Sequence, residues 1–234
     1  RGGTVGWRDR WRPDLVQVQE RLFVYRTPVY APLSGQRVLG ALTGSLRRTA
    51  LAGALRRLGF SRPVLWLTRP DQADVVGLLG ERLLVYHVVD EYSAYAGLDA
   101  ERAERIRRSE QALIRRADVV LMLVDATEPL SEPDKKLAQY VAEQYKPVVL
   151  VVNKWDLAME TIRSQRKADE DKPLRDEDIM AEYREYLDDE MPWLDFAPIA
   201  FVTAKAGKNV QTVLDMSQHL FNQANQRVTT GRLN

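Results

Sequence analysis

Cysteine is absent from the 234 residues, and histidine occurs only twice, at His87 and His219. Without a thiol there is no disulfide framework, no thiolate metal site and no cysteine redox chemistry, and two separated imidazoles form no histidine cluster. Neither a metal ligand set nor a catalytic residue is identifiable. No apolar run approaches the roughly 20 residues that cross a bilayer, and Arg1-Gly2-Gly3-Thr4 does not open a signal peptide. The expected setting is the cytoplasm. The chain starts without a methionine and stops at Asn234, which reads as a fragment. Its 45% hydrophobic and 29% charged residues are the composition of a folded protein with one large or two small cores.

Lysine is missing from the whole first half. Residues 1–117 hold 20 Arg, no Lys and 12 Asp/Glu, a net of +8, whereas residues 118–234 hold 6 Arg, 8 Lys and 21 Asp/Glu, a net of −7. Arg and Lys differ mainly at bidentate or stacked sites, so folding does not demand such a split. It reads either as two coding histories joined near residue 117 or as local bias within one gene. The arginines are spread rather than clustered and the other half is acidic, so no clear nucleic-acid site follows from them.

Residues 1–35 show no clear period. After them a Leu/Ala/Arg pattern over 38–58, closed by Arg56-Arg57 and Gly59, predicts a helix with its cationic end and glycine stop in place. Apolar runs at 62–67 and 83–89 predict buried strands, with a short helix over 71–79 between them and a charged helix over 100–116 after them. The pattern continues with a strand over 118–125, a helix over 133–145, a strand over 147–152, a polar insert over 156–173 expected to be a mobile loop, a helix over 175–190, a strand over 197–202 and a helix over 210–225. Strands apolar on both sides that alternate with helices belong to a parallel sheet covered on both faces. The expected fold class is therefore α/β, a mostly parallel sheet of about five strands with helices on both faces. Strands 62–67 and 84–89 are expected beside 118–125.

Two polar strings follow strands at the edge where open α/β sheets bind ligands: Asn153-Lys154-Trp155-Asp156 and Thr203-Ala204-Lys205. Asn-Lys-x-Asp followed about 50 residues later by a Ser/Thr-Ala-Lys/Leu loop resembles the guanine-recognition pair of the G-protein superfamily. An aspartate there can accept parallel bonds from the guanine N1–H and exocyclic amine, a donor pair that adenine lacks. Asp156 would be that discriminator. The resemblance implies that Asn153 ties the loops together and touches the base edge. It also implies that the Lys154 stem covers one ring face, that Ala204 offers its backbone N–H to the guanine carbonyl beside Thr203, and that Lys205 lines the other side.

Within that superfamily the strings Arg115-Arg116-Ala117-Asp118, Asp125-Ala126-Thr127, Leu194-Asp195-Phe196-Ala197-Pro198 and Arg227-Val228-Thr229-Thr230-Gly231-Arg232-Leu233-Asn234 resemble the second G domain of the EngA/Der family. The resemblance covers about half the chain and implies GTP or GDP as cofactor and the ribosome as partner. It implies hydrolysis only where a Gly-x-x-x-x-Gly-Lys-Ser/Thr loop cradles the phosphates. No such string occurs here: the Gly35 to Gly40 spacing is followed by Ala41-Leu42, and Ser93 stands where an Asp-x-x-Gly motif opened by Asp90 would need glycine. Guanine recognition without turnover is the expectation, and no Mg²⁺ site is identifiable.

The first half is similar to another family. Residues 62–67, the string Leu84-Val85-Tyr86-His87-Val88-Val89-Asp90-Glu91-Tyr92-Ser93-Ala94-Tyr95 and the helix ending Leu113-Ile114-Arg115-Arg116 resemble the amino-terminal, acceptor-side domain of a GT-B glycosyltransferase. Two half-domains are thus expected, a Rossmann-like half over 1–117 that is either glycosyltransferase-type or generic without retained activity, and the carboxyl-terminal half of an EngA/Der-type G domain over 118–234, with a fusion or assembly error across the shared string Arg115 to Leu121 as the preferred explanation. His87 is the one histidine of that half, and a histidine inside a strand is most often a bonded core residue.

Overall fold

The computed structural model describes residues 14–26, 37–89, 92–95, 97–166 and 175–226. Asp90-Glu91, the string Arg227 to Asn234, Gly35 and the part of the charged insert at 167–173 lie outside the described residues. Two compact units divide the chain, residues 1–65 with 74–82 and residues 66–73 with 83–234.

In the first unit the segment without a clear period contains an antiparallel hairpin, β1 (Asp14–Gln19) with β2 (Leu22–Arg26), interrupted by a bulge between Gln17 and Gln19. Sequence periodicity misses it because both faces carry apolar residues: Val16 lies opposite Val24, and Leu15 opposite Tyr25. Helix α1 (Arg37–Arg57) closes on Arg56 and Arg57, and Gly59 follows at φ 78°. That left-handed conformation is the one a glycine stop supplies without a Cβ clash.

The second unit is built on a five-stranded parallel sheet. Its strands, β3 (Val64–Leu67, which enters this unit at Trp66), β4 (Leu83–Val88), β5 (Val119–Asp125), β6 (Val148–Asn153) and β7 (Ile199–Phe201), follow one another in chain order. The expected α/β sheet is present, with β4 directly beside β5. The first five residues of β6 are buried, and so are Val119, Val120, Leu121, Met122 and Val124 of β5. The even–odd alternation of a strand separates two cores. On one face Val85, Leu121, Val151 and Ala200 pack with Val213 of helix α6 (Val210–Ala224). On the other, Tyr86 reaches helix α2 (Ala100–Arg116) and Phe201 meets Tyr183 of helix α5 (Asp176–Glu190). Helices thus cover both faces.

Local chemistry explains the helix ends. The Asp99 side chain accepts from the Arg102 N–H at 2.7 Å to start α2, and Arg115 and Arg116 face its carboxyl end. Helix α3 (Glu132–Glu143) opens on a capping box between Ser131 and Asp134. Two expectations need correction. The polar insert over 156–173 is not a loop at its start, because helix α4 (Trp155–Arg166) occupies it as far as residue 166. Ala158 and Met159 bury themselves three and four residues after Trp155, and the Lys154 carbonyl accepts from the N–H groups of Leu157 and Ala158. The run at 71–79 forms only a 3-10 turn over Pro70–Val75, since Gly77 enters the left-handed region at φ 82° and ends it.

Tyr86 and Glu110 are fully buried, and the phenol donates to Glu110 Oε1 at 2.8 Å. Tyr86→Phe should lower the unfolding free energy by about 1–3 kcal/mol, the cost of withdrawing a partner from a buried acceptor. Urea denaturation reads this directly, and an unmoved midpoint with an unchanged slope would show that the bond contributes nothing.

Candidate functional site

The carboxyl edge of the sheet gathers the polar residues. Parallel pairing sets Asp125 opposite Asn153 and Val152 opposite Phe201, so the chain leaves β5, β6 and β7 at one level. Backbone bonds continue the alignment past the strands: the Ala126 N–H donates to the Asn153 carbonyl at 3.0 Å, and the Trp155 N–H to the Val202 carbonyl at 3.2 Å. Thr203 N–H and carbonyl both bond Lys208, closing a small loop around a 3-10 turn at Ala204–Ala206 that ends on Gly207 at φ 69°.

Within this frame the six candidate side chains divide. Asn153 Oδ1 accepts from the Ala204 N–H at 3.0 Å, a direct link between the two polar strings. Asp156 Oδ1 accepts from the Thr203 hydroxyl at 3.1 Å, the second link. Thr203 is buried while Asp156 and Ala204 are exposed, so the hydroxyl fixes one carboxylate oxygen from inside. Lys205 is exposed on the turn. Lys154 spans to the neighbouring strand: its backbone is left-handed at φ 58°, and its ammonium sits 2.5 Å from Asp125 Oδ2. The Ala204 N–H, which the resemblance assigns to a guanine carbonyl, donates to Asn153 Oδ1.

Asp125 and Thr127 are the residues that sequence reasoning left out of the site. Asp125 Oδ1 accepts from both the Thr127 N–H at 3.0 Å and the Thr127 hydroxyl at 2.6 Å. Burial works against the charged carboxylate, but the bonds from Lys154 and Thr127 outweigh it and hold Asp125 below the ordinary carboxylate range. The hydrogen bond to Asp125 in turn raises the Lys154 ammonium above its ordinary value. In the sequence Asp125 and Thr127 appear only within the string Asp125-Ala126-Thr127 at the end of an apolar strand, and an acid there fits many roles.

A cleft of about 660 Å³ adjoins the strings, lined by Trp155, Asp156, Met159, Phe201, Thr203 and Asn209 among others. Asn153, Lys154, Ala204 and Lys205 stand outside its lining. The rings of Trp155 and Phe201 approach to 4.4 Å and those of Trp155 and Tyr183 to 5.2 Å. Burial, then the neighbouring Tyr186 and Asp125, push the Tyr183 phenol up to about 12. Two other elements reach the same sheet edge. The Tyr92 hydroxyl after β4 donates to the Thr68 carbonyl at 3.2 Å, and the Tyr92 and Tyr95 rings lie 5.5 Å apart. His87 accepts at Nδ1 from the Trp66 indole at 3.3 Å, and burial lowers its pKa, as for a structural imidazole.

The model of the elongation factor Tu GTP-binding domain matches residues 104–223. A GTPase Der of Rhodopirellula baltica is 33% identical over 97% of this chain and 47% of its own length. A GTPase Der of Moorella thermoacetica is 39% identical over 52% of this chain and 24% of its own. The chain thus spans about half the length, or less, of the curated relatives it matches. The alignment to the R. baltica protein runs through both sides of residue 117. Among solved structures, a probable GTP-binding protein engB superposes with a TM-score of 0.39 at 18% identity, over 55% of this chain and 73% of its own.

The clamp on Asp125 sets a pH dependence. Its folded-state pKa is depressed, so its stabilisation is present above the ordinary carboxylate range and is lost as pH falls through the folded value. Asp125→Asn should therefore be less stable than the parent at neutral pH, with the gap closing at acid pH and narrowing in high salt because the pair is half exposed. Denaturation at stepped pH measures the gap, and a gap that widens on acidification contradicts the assignment.

Proposed function

We propose, from the fact that this chain belongs to the family of the elongation factor Tu GTP-binding domain, that it binds guanine nucleotides in the manner of the EngA/Der ribosome-biogenesis GTPases. The observation that carries the reading is the pair of links between the strings, Asn153 Oδ1 to the Ala204 N–H and the Thr203 hydroxyl to Asp156. They present an exposed carboxylate and a side-chain amide at the carboxyl edge of a parallel sheet, the donor–acceptor set that suits a purine edge with two adjacent N–H donors.

In this reading Asp156 accepts from the guanine N1–H and amine. Asn153 keeps the second loop in reach, the Lys154 stem covers one ring face, and Lys205 closes the other. A guanine carbonyl would share the Ala204 N–H with Asn153. Phosphates receive no comparable cradle, since no Gly-x-x-x-x-Gly-Lys-Ser/Thr string occurs in the 234 residues. The chain as given therefore holds the base, independently of Mg²⁺, and does not turn GTP over. Its site of action in this proposal is the cytoplasm, at the ribosome. No described helix is long and apolar enough to cross a membrane.

The rival is a glycosyltransferase-like protein, an acceptor-side domain over residues 1–117 without its nucleotide-sugar domain, and the missing lysines add a fusion of that half to a G-domain half over 118–234. The R. baltica alignment across 97% of the chain weighs against it. Amplification of source DNA across the codons for Arg115 to Leu121 separates the two: one continuous product favours a single gene, and products on either side alone favour fusion.

Asp156→Asn tests the base contact itself. The amide offers a donor where xanthine has a carbonyl, so the variant should lose about 10–100-fold in GDP affinity and gain for xanthosine diphosphate. Isothermal titration of both nucleotides into both chains measures it, and an unchanged preference would remove Asp156 from the site.

A further inference from the structure

Lys154 combines two features that its string alone does not explain. A residue with a Cβ sits in the left-handed region, at φ 58°, at the junction between β6 and α4. Such a conformation is uncommon outside glycine, asparagine and aspartate and persists where the surroundings fix it. Here the residue's carbonyl accepts the first two helical bonds of α4, and its side chain crosses to the end of β5. There Asp125 is itself immobilised, one oxygen by the Thr127 N–H and hydroxyl and the other by the ammonium. Backbone and side chain are thus pinned at opposite ends.

An unpinned lysine samples many rotamers, and ordering it on binding costs affinity. A lysine already drawn along the edge between β5 and β6 presents its four methylene groups as a fixed apolar wall. We propose that Asp125, braced by Thr127, is a positioning residue for nucleotide binding: it holds the Lys154 stem in the course along which a guanine ring would pack. The proposal rests on the guanine-pocket reading and adds to it a carboxylate that touches no ligand. The lowered Asp125 and raised Lys154 titrations agree with a formed ion pair.

Two readouts test it on the full chain. The first needs no nucleotide: the rate at which an amine-reactive ester modifies Lys154, followed by mass spectrometry, should rise in Asp125→Asn as the ammonium loses its partner. The second is titration with GDP and with ADP, in which Asp125→Asn should lose about 2–10-fold in GDP affinity. Thr127→Val, an exposed change that leaves the carboxylate in place, should fall between parent and Asp125→Asn in both readouts. Asp125→Glu should recover part of the loss. Unchanged Lys154 reactivity in Asp125→Asn overturns the clamp, whatever the nucleotides do. Raised reactivity with full GDP affinity overturns the positioning role while leaving the pocket reading intact. Equal affinity of the parent chain for GDP and ADP removes the pocket, and the proposal with it, even where the reactivity arm shows the ion pair.

Discussion

In-register parallel pairing of β5, β6 and β7 is the constraint on which the site depends. It brings Asp125 opposite Asn153 and Val152 opposite Phe201, and the backbone bonds from Ala126 to Asn153 and from Trp155 to Val202 carry the alignment into the loops. Every polar contact of the site then has short reach: Asn153 to Ala204, Asp156 to Thr203, Lys154 to Asp125. A slip of one residue in any of these strands would turn its core side chains to the opposite face, so the buried valines that stabilise the sheet also fix the geometry at its edge. Packing and the alignment of the polar loops are the same constraint read at two places.

The elements that the amino-acid pattern predicts well are those with one dominant local signal. Helix α2 has an acidic cap, a charged face and terminal arginines, and its observed span is the expected one. Strands β5 and β6 are apolar without interruption because both faces are covered. The hairpin β1–β2 is hidden because valines, leucine and aromatics occupy both of its faces, and α4 is hidden because only Ala158 and Met159 are fully buried along it, with Trp155 and Ile162 half-buried among charged and polar residues. At the carboxyl edge, the strings that hold Asn153, Asp156 and Thr203 stand out because they follow two strands and resemble a family motif, and the structure links them to one another. Asp125 and Thr127 do not, because their significance arises only when β5 and β6 pair.

The asymmetry between the halves has a different standing. Twenty arginines without one lysine before residue 118 remain a property of the sequence for which the fold offers no physical reason. The sheet itself does not respect that boundary: β4, from the arginine-only half, hydrogen-bonds in parallel to β5 of the other. A shared sheet is compatible with one ancestry or with two, since fold does not fix function.

The central claim is that the joined loops at Asn153–Asp156 and Thr203–Lys205 read guanine. Its most direct test is a ¹⁵N–¹H titration of the labelled chain with GDP and, separately, ADP, following the Ala204 amide and the Asn153 side-chain amide. GDP should shift both resonances saturably, with or without Mg²⁺, while ADP leaves them in place. Equal shifts from the two nucleotides, or none from GDP at millimolar concentration, would contradict the account.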